Sequence, residues 1–425
     1  MLETLPVGRP LVLGREDLGG NPVPDDRCSR EHADLSWANG QFVVTDRESR
    51  NGSFLDGVQF RGTRTASDGA VLRLAHTVML LLADLRPYLT RHVTTGEFVI
   101  GPRMQEVLDR VVVARQRDSH LLVLGETGSG KELIARRFSE AGERRGPFIA
   151  VNCAAIPAAT AAQQLFGAAR GAYTDARANH EGFFLVADGG VLFLDEIAEL
   201  DLDVQATLLR TIQSGEVQVL GENTPRHVEV CVVAASHQNL KQAIERGTFR
   251  EDLYFRLFQS ELKVPPLRER REEMPWLMQS VVEAASRTLH ASIVEAALLR
   301  HWPGNVRELL AQTQRATETA GRQDSAAVRV EHLDVEAGVR RASAPAGATS
   351  GVVAAATAAA TAPRARPVTG RYESFTREQL EAALQSCGSI AAAARSLNLH
   401  RTQLYRLLRT HGLINNDAVE EADGS

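Results

Sequence analysis

The chain has 425 residues, 44% of them hydrophobic, and a formal net charge of −5. This length predicts about two to four domains, and the mild charge excludes a wholly basic nucleic-acid coat and an acidic disordered chain. The 4 cysteines form no CxxC pair, which argues against a zinc site or a disulfide framework and favours a reducing compartment. Without a signal-peptide pattern or a membrane-spanning apolar run, we expect a cytoplasmic protein with no membrane partner.

The pattern of apolar residues and the local composition divide the chain into successive segments. Short apolar runs between Gly, Asn, Asp and Pro predict an all-β domain first, and longer helical segments alternating with apolar strands predict an α/β region after it. A low-complexity stretch rich in Ala, Thr and Pro has the composition of a linker, and a small helical module and an acidic tail follow it. The expected bounds are 1–90, 95–338, 339–370, 371–413 and 414–425, in that order.

Three motifs in the all-β segment combine the groups that bind a phosphate. They are Leu13-Gly14-Arg15, the run 29–32 and the run 46–54. A phosphate dianion needs guanidinium groups together with hydroxyl and amide donors that converge from separate loops. Taken singly, Asn51-Gly52 also fits a plain hairpin turn, and Arg15 also fits an exposed basic residue.

In this order, the three motifs resemble a forkhead-associated (FHA) domain, a β-sandwich whose loops bind phosphothreonine peptides. The resemblance implies a threonine-phosphorylated protein or a Ser/Thr kinase as partner, and it implies that His32 braces the loops. The implied phosphopeptide-binding residues are Arg15, Ser29 and Arg30 on the phosphate, and Asn51 with help from Arg50 on the peptide backbone.

The run 125–131, Gly-Glu-Thr-Gly-Ser-Gly-Lys, has the GxxxxGK spacing of a P-loop. The apolar run 121–124 predicts a buried strand before it, and 132–138 predicts a helix after it. Glycines let backbone N–H groups surround phosphate oxygens, and the helix N-terminus adds positive potential. Lys131 would then lie between the β and γ phosphates of ATP. Glu132 stands where many P-loops place a Mg²⁺-ligating Ser or Thr.

A second apolar strand is predicted at 191–194, and it ends in Asp195 and Glu196. A phosphoryl-transfer site needs one acid that holds Mg²⁺ through water and another that polarises the attacking water. Alone, such a pair also fits a helix cap or a solvated turn. Joined to the P-loop upstream, it indicates ATP hydrolysis.

Several segments together resemble the central AAA+ ATPase of the bacterial enhancer-binding proteins, which activate sigma-54 RNA polymerase. The resemblance implies an α/β subdomain at 95–262 and a helical lid at 263–338, and in that family Glu is usual after the P-loop lysine. The matching segments are GETGSGKELIA (125–135), FIAVNCAAIP (148–157), LFGAARGAYTDA (165–176), ADGGVLFLDEI (187–197), GTFREDLYFRL (247–257), VPPLRER (264–270) and WPGNVREL (302–309).

The resemblance also implies roles for single residues. Two arginine fingers would reach the γ-phosphate of a neighbouring subunit, so the resemblance implies a homo-oligomer, from a dimer up to a hexameric ring. The implied ATP-binding residues are Gly125, Glu126, Thr127, Gly128, Ser129, Gly130, Lys131, Glu132 and the lid arginine Arg307. The implied catalytic residues are Asp195 as the Mg²⁺ ligand through water, Glu196 on the attacking water, Asn152 as the residue that holds Glu196 between turnovers, and the fingers Arg250 and Arg256.

The run 171–176, GAYTDA, aligns with the GAFTGA loop that contacts sigma-54 in this family. The resemblance implies contacts from Tyr173 and Thr174. Asp175 replaces a glycine, which adds a charge and removes a residue free to adopt positive φ. A DNA-binding AAA+ regulator that does not engage sigma-54 therefore remains an alternative.

Residues 371–413 carry three helical patterns with a tight turn between the last two, which predicts a helix-turn-helix. Arginines outnumber glutamates here, which suits contacts with DNA phosphates. The segment 392–413 is similar to the Fis-type module of enhancer-binding proteins. Its implied DNA contacts, at enhancer-like upstream sites, are Arg401, Thr402, Gln403 and Arg406.

The combined prediction is a multidomain bacterial regulator: an FHA sandwich, an α/β AAA+ ATPase with a helical lid, and an all-α DNA-binding end. ATP hydrolysis by a ring would remodel sigma-54 RNA polymerase under phosphothreonine control. A phosphopeptide-gated scaffold without ATPase activity is the second alternative, and the intact Lys131, Asp195 and Glu196 argue against it.

Overall fold

The computed structural model describes residues 10–15, 25–89, 93–95, 98–116, 120–142, 146–171, 179–257 and 260–339. The predicted linker after its first residue, the helix-turn-helix and the acidic tail lie outside these residues, as do Tyr173, Thr174 and Asp175 in the predicted sigma-54 loop.

The N-terminal part is a sandwich of two antiparallel four-stranded sheets, in the orders β1-β2-β3-β6 and β5-β4-β7-β8. Alternation builds it: in β3 the side chains of Phe42 and Val44 point inward, where they meet Leu72 and Leu74 of the other sheet. The strands are β1 (Leu11–Leu13), β2 (Ala33–Ala38), β3 (Gln41–Asp46), β4 (Ser53–Leu55), β5 (Val58–Phe60), β6 (Thr63–Ala66), β7 (Val71–Leu74) and β8 (Thr77–Leu80). A short helix α1 (Arg86–Leu89) follows.

The central part is a three-layer α/β structure around a parallel sheet in the order β10-β11-β14-β9-β15. Its strands are β9 (Leu121–Leu124), β10 (Phe148–Asn152), β11 (Val191–Asp195), β14 (Cys231–Ser236) and β15 (Glu261–Lys263), and a small hairpin joins β12 (Glu216–Val217) to β13 (Arg226–His227). The helices are α2 (Pro102–Gln116), α3 (Lys131–Glu140), α4 (Ala158–Phe166), α5 (Phe183–Val186), α6 (Leu202–Ser214), α7 (Leu240–Glu245) and α8 (Glu251–Leu257).

Both faces of this sheet are buried, which explains its continuous apolar strands. Leu122, Leu192 and Val232 face the layer that contains α4 and α6–α8. Leu121 and Phe193 face α2 and α3 on the other side. The carboxyl ends of β9, β10 and β11 therefore meet at one edge of the sheet, where ligands bind in open α/β folds.

The C-terminal described part is a helical lid around a buried Trp302, whose Nε1 donates to the carbonyl of Ala297 at 2.8 Å. It contains α9 (Met274–Ala284), α10 (Ala291–Leu298) and α11 (Asn305–Arg322), with β16 (Thr288–Leu289) pairing in parallel with β17 (Ala327–Val328). Among the described residues, no helix has the length and apolar character needed to cross a bilayer.

Within the described residues, the predicted all-β and α/β classes are confirmed. The strand predicted at 121–124 is β9, and the strand predicted at 191–194 is β11, which extends to Asp195. The helix predicted at 132–138 is α3, which begins one residue earlier, at Lys131.

Candidate active site

The predicted P-loop lies between β9 and α3, at the carboxyl edge of the parallel sheet. Gly128 and Gly130 have φ of 73° and 102°, which ordinary side chains rarely adopt. A Cβ at Gly128 would also overlap the carbonyl oxygen of Gly304 in the lid. The glycines are therefore required both for the turn and for the close approach of the lid.

Lys131 begins α3 and is almost fully buried. Its Nζ donates to the carbonyl of Gly125 at 3.2 Å and lies 3.4 Å from Oε1 of Glu196. The lysine thus connects the glycine-rich loop to the acidic end of β11. A buried ammonium beside backbone N–H groups is suited to a phosphate anion.

Glu196 follows β11 with φ 55° and ψ 50°, a left-handed conformation that costs a non-glycine residue free energy. His237 fixes its carboxylate: Nδ1 lies 2.5 Å and the backbone N–H 3.2 Å from Oε2. Burial raises the pKa of Glu196, but the His237 hydrogen bond and the Lys131 charge outweigh it, so the pKa lies below its ordinary value. The carboxylate is held ionised, as an acceptor for a proton of water.

Asp195, the last residue of β11, lies beside it. Burial raises the pKa of Asp195, while the charges of Lys131 and Arg307 lower it only in part. A cation at this carboxylate would restore its ionised form. Mg²⁺ needs only one or two carboxylates when nucleotide phosphates and water complete its shell, so the donors here fit Mg²⁺ with ATP.

Asn152 ends β10 in direct register with Asp195 on β11. Its Oδ1 accepts a hydrogen bond from the N–H of Ala154 at 3.0 Å and caps the short helix Cys153–Ala155. In this conformation His237 holds the carboxylate of Glu196. The predicted role of Asn152 stays a prediction.

The two predicted fingers lie at α8. Arg250 forms a two-point ion pair with Asp252, with Nε to Oδ1 at 3.0 Å and Nη2 to Oδ2 at 2.7 Å. Arg256 directs Nη2 toward the carbonyl of Ile212 at 3.5 Å, and its Nε is buried with no hydrogen-bond partner among the described residues. Both guanidinium groups therefore contact residues of their own chain, and within the described residues neither contacts the P-loop of that chain.

The lid closes over the P-loop. Arg307 is in the first turn of α11, and its Cβ lies 2.9 Å from the position that a Cβ at Gly128 would take. Asn305 donates from Nδ2 to the carbonyl of Thr127 at 3.1 Å, and its Oδ1 accepts from the N–H of Leu267 at 2.8 Å. The predicted nucleotide site is thus lined from both the sheet and the lid.

Three residues of the lid and its approach contact the P-loop without a role in the sequence prediction. Arg268 forms a two-point ion pair with Glu126, both distances being 2.8 Å. Arg270 donates to the carbonyl of Ser129 at 2.5 Å, and Asn305 also donates to Glu126. The sequence contains a signal for these three residues, because they lie inside the matching segments VPPLRER and WPGNVREL. Glu132 points elsewhere and pairs with Arg136 at 2.8 Å.

The predicted phosphopeptide residues converge at one end of the sandwich. The backbone N–H of Arg15 donates to the carbonyl of Ser29 at 2.9 Å, and the N–H of Arg50 donates to Oγ of Ser29 at 3.2 Å. Asn51 donates from Nδ2 to the carbonyl of Arg27 at 2.9 Å. The side chains of Arg15, Arg50 and Asn51 are exposed, and so is that of Arg30.

Buried polar residues brace these loops. Asp46 accepts hydrogen bonds from the hydroxyls of Ser49 at 2.6 Å and Ser53 at 2.7 Å. His32 is fully buried, with Nδ1 3.2 Å from the backbone nitrogen of Ser29 and Nε2 3.3 Å from the carbonyl of Gly52. Burial lowers the pKa of His32, so the ring is neutral and structural rather than a phosphate ligand.

Family models match three parts of the chain in succession. The FHA domain matches residues 11–75, the sigma-54 interaction domain matches 99–263, and the bacterial regulatory protein Fis family matches 373–410. These matches confirm the predicted resemblance and the fold class, including the helix-turn-helix end.

Several curated relatives are transcription regulators. The nitric oxide reductase transcription regulator NorR1 of Cupriavidus necator is 39% identical over 320 residues, which cover 72% of this chain and 62% of the relative. NtrC of Bradyrhizobium is 42% identical over 241 residues, or 54% of this chain and 50% of the relative. The chain thus spans less than two thirds of either relative. GlrR of Escherichia coli is 35% identical over 330 residues, covering 75% of this chain and 69% of the relative.

A solved structure supports the same assignment. NtrX from Brucella abortus, crystallised with ADP, superposes with a TM-score of 0.53 and 26% identity, over 75% of this chain and 70% of that one. The central domain here is accordingly the AAA+ ATPase domain of this group. With its FHA, sigma-54 interaction and Fis-type matches in order, and with GlrR matched over most of its length, the chain belongs to the sigma-54-dependent transcriptional activators, the bacterial enhancer-binding proteins.

Proposed function

We propose that this chain hydrolyses ATP in an oligomer to remodel sigma-54 RNA polymerase, and that its FHA domain gates this activity by binding phosphothreonine. One observation above all supports ATP hydrolysis by this chain. Lys131 and Glu196 meet at 3.4 Å beside Asp195, at the edge of the sheet that the lid covers. A scaffold without ATPase activity has no need of a left-handed, hydrogen-bonded catalytic carboxylate.

The chemistry is electrostatic positioning. The P-loop N–H groups and Lys131 would hold the phosphates, Arg307 would reach them from the lid, and Asp195 would hold Mg²⁺ through water. The bound ion would neutralise charge that develops on the β and γ phosphates. Glu196 orients and polarises the attacking water, and the side-chain amide of Asn152 holds the carboxylate of Glu196 between turnovers.

The site requires a neighbouring subunit. Arg250 and Arg256 contact Asp252 and Ile212 in their own chain, away from Lys131. As fingers they serve the γ-phosphate of the next protomer, which makes a homo-oligomer, up to a hexameric ring, the active form. Arginine fingers supplied in trans contribute about 10³–10⁵ in rate in other nucleoside triphosphatases.

Phosphopeptide binding, DNA binding and the sigma-54 contact use three separate parts of the chain. Arg15, Ser29 and Arg30 hold the phosphate of a phosphothreonine protein, and Arg50 and Asn51 hold its backbone. The helix-turn-helix binds DNA at upstream sites through Arg401, Thr402, Gln403 and Arg406. The loop that carries Tyr173 and Thr174 contacts sigma-54.

Trapping with purified sigma-54 tests this output. The full chain with ADP and a metal-fluoride mimic of the transition state should form a stable complex with sigma-54, and Lys131→Ala should form none. Phosphate release should fall to background in the same variant. A chain that hydrolyses ATP but traps no sigma-54 would favour the alternative regulator, for which Asp175 in place of glycine is the specific observation. Equal phosphate release by the wild type and by Lys131→Ala would rule out ATP hydrolysis at this site.

A further inference from the structure

We propose that the FHA domain docks in cis on the ATPase lid and that this contact links phosphothreonine binding to nucleotide binding. The lid-facing surface of the sandwich, called the docking face below, consists of Gly57, Gly69, Arg73 and His76 with strands β7 and β8. The inference rests on the proposed function for its phosphothreonine ligand, while the docking itself is tested without one.

Polar contacts hold the docking face to the lid at two points. Arg73 donates from Nε to Oε2 of Glu295 on α10 at 2.7 Å, and both side chains are largely buried, with 15% and 8% exposed. Arg271 donates from Nη2 to the carbonyl of Gly69 at 2.6 Å. Oε1 of Glu295 is buried with no partner among the described residues, so losing Arg73 would leave a buried, unpaired carboxylate.

Apolar packing makes the contact continuous. Val71 of β7 is fully buried and belongs to the lid's core cluster together with Ile293 and Leu298 of α10. Val78 and Leu80 of β8 pack against the same cluster. One hydrophobic core therefore spans both domains, which is typical of a fixed interface rather than a free hinge.

The segment 270–273 connects this interface with the P-loop. Arg270 donates to the carbonyl of Ser129 in the P-loop at 2.5 Å, and its neighbour Arg271 donates to Gly69 of the FHA domain. Glu273 accepts from the N–H of Gly101 at 2.7 Å and pairs with Arg270 at 2.6 Å. These residues form consecutive short turns. A shift of the docking face is therefore transmitted to the P-loop through the adjacent side chains of Arg271 and Arg270.

The phosphopeptide loops are joined to the same interface. Asn51 donates to the carbonyl of Arg27, and Nη1 of Arg27 lies 3.1 Å from Nε2 of His76. The N–H of His76 donates to Asp25 at 2.6 Å, and its ring meets that of His290 edge-on with centroids 4.6 Å apart. His290 is the N-cap of α10 and accepts from the N–H of Ser292.

One loop thus lies between the proposed ligand and His76, and it reaches the lid only through the contact of His76 with His290. Residues 25–30 supply Ser29 and Arg30 to the phosphate and Asp25 and Arg27 to His76. A peptide backbone bound by Asn51 competes for the amide that holds Arg27, so it weakens the docked arrangement. The docked FHA domain keeps the lid ordered over the P-loop, and its release lowers nucleotide affinity. Binding linkage is reciprocal, so nucleotide weakens phosphopeptide binding by the same factor.

Charge reversal on the full chain tests the docking without any peptide. Arg73→Glu and Glu295→Arg should each raise the Kd of a fluorescent ATP analogue by about fivefold, the scale of typical coupling between sites. The double reversal should restore the Kd. Arg271→Ala should raise it as well, while Arg322→Ala, an exposed lid arginine at the end of α11, should leave it unchanged. Wild-type affinity in the single reversals and in Arg271→Ala, with folding verified by circular dichroism, would overturn the docking proposal.

A degenerate phosphothreonine peptide library tests the linkage, with the unphosphorylated library as control. The phosphorylated library should raise the Kd of the ATP analogue about fivefold in the wild type and leave it unchanged in Arg271→Ala, although both proteins bind the library. Equal effects on both proteins would overturn the route through the interface. A wild type that binds no phosphorylated peptide would refute the phosphothreonine input and the linkage, whereas the reversals above would still decide the docking.

Discussion

At the residue scale, Glu196 is constrained in both its backbone and its side chain. Its backbone is left-handed, its carboxylate is held by His237, and the ammonium of Lys131 lies 3.4 Å away. Such strain persists only where surrounding contacts fix it, and it is concentrated at functional sites. This arrangement would preorganise the side chain for its proposed role on the attacking water.

Replacing Glu196 by Gln should separate binding from hydrolysis. The amide keeps the size of the side chain but cannot accept the proton of water, so we expect phosphate release to fall by about 10²–10⁴, the usual contribution of a general base. The Kd of a fluorescent ATP analogue should change little, because Lys131 and the P-loop remain. Unchanged turnover in Glu196→Gln would assign the water-activating role to another residue.

The FHA loops depend on Asp46 in a pH-sensitive way. Burial raises the pKa of Asp46, but the hydrogen bonds from Ser49 and Ser53 outweigh it and hold the pKa below its ordinary value of 3.8. Its stabilisation is therefore present above pH 3.8 and is lost as the pH falls through the lower folded-state value.

Asp46→Asn should accordingly destabilise the FHA domain at neutral pH by about 1–3 kcal/mol, because buried hydroxyls lose a charged acceptor. Urea unfolding at pH 7 and at pH 3 measures this, and the difference between variant and wild type should shrink at pH 3. Equal stability of the two proteins at pH 7 would contradict the bracing role.

At this scale the sequence predicted which residues meet, but not how. The sequence assigns Lys131 to the site by the GxxxxGK spacing, and it assigns Asp195 and Glu196 because they end an apolar strand downstream of that loop. The His237 contact and the left-handed backbone of Glu196 depend on the packing of β11 against β14, which residue types alone do not specify.

At the scale of elements, the ion pair of Arg270 and Glu273 organises the approach to the lid. Both side chains are buried, at 2% and 0% exposure, and Nη1 lies 2.6 Å from Oε2. Burial raises the pKa of Glu273, and the Arg270 charge only partly opposes this. A buried ion pair of this kind fixes the position of the segment 270–273 rather than adding net stability.

Arg270→Met should be strongly destabilising, by about 3–5 kcal/mol, because it leaves an uncompensated carboxylate in the interior. Thermal unfolding followed by circular dichroism measures it. Adding Glu273→Gln should recover part of the loss, since a neutral amide still accepts from the N–H of Gly101. A double variant less stable than Arg270→Met would contradict this assignment.

The elements of the ATPase sheet were predictable, whereas the interface of the lid was not. Parallel strands buried on both faces have continuous apolar sequences, so 121–124 and 191–194 are distinctive. Val71 and Leu80 on the docking face lie in the short strands VLRL and TVML, whose sequences do not indicate a partner in another domain. Their burial depends on α10, which lies more than 200 residues away in the sequence.

At the scale of the whole molecule, the interface between the FHA domain and the lid should respond to acid. Burial, followed by the nearby charges of Arg329, His76, Arg73 and Arg27, lowers the pKa of His290 to about 4 from its ordinary value of 6.5. The neutral ring contributes stability that is complete above pH 6.5 and is lost as the pH falls toward 4.

His290→Asn should reduce this pH dependence while keeping an N-cap for α10, because Asn is a preferred capping residue. Differential scanning calorimetry at pH 7 and pH 5 compares the two proteins. The wild type should lose more of its thermal stability on acidification than the variant. Equal losses of thermal stability in the wild type and in His290→Asn would show that His290 does not cause the pH dependence.

The central claim is that nucleotide is hydrolysed between two protomers, with the P-loop and acidic pair of one chain facing the arginine fingers of the next. Mixing two inactive full-length variants tests it most directly: Lys131→Ala retains both fingers, and Arg250→Ala retains its P-loop and acids. Each variant alone should release almost no phosphate. A random equal mixture should recover about a quarter of the wild-type rate, because that share of interfaces joins an intact site to an intact finger. A mixture as inactive as its components, when each still binds nucleotide and assembles, would contradict the account.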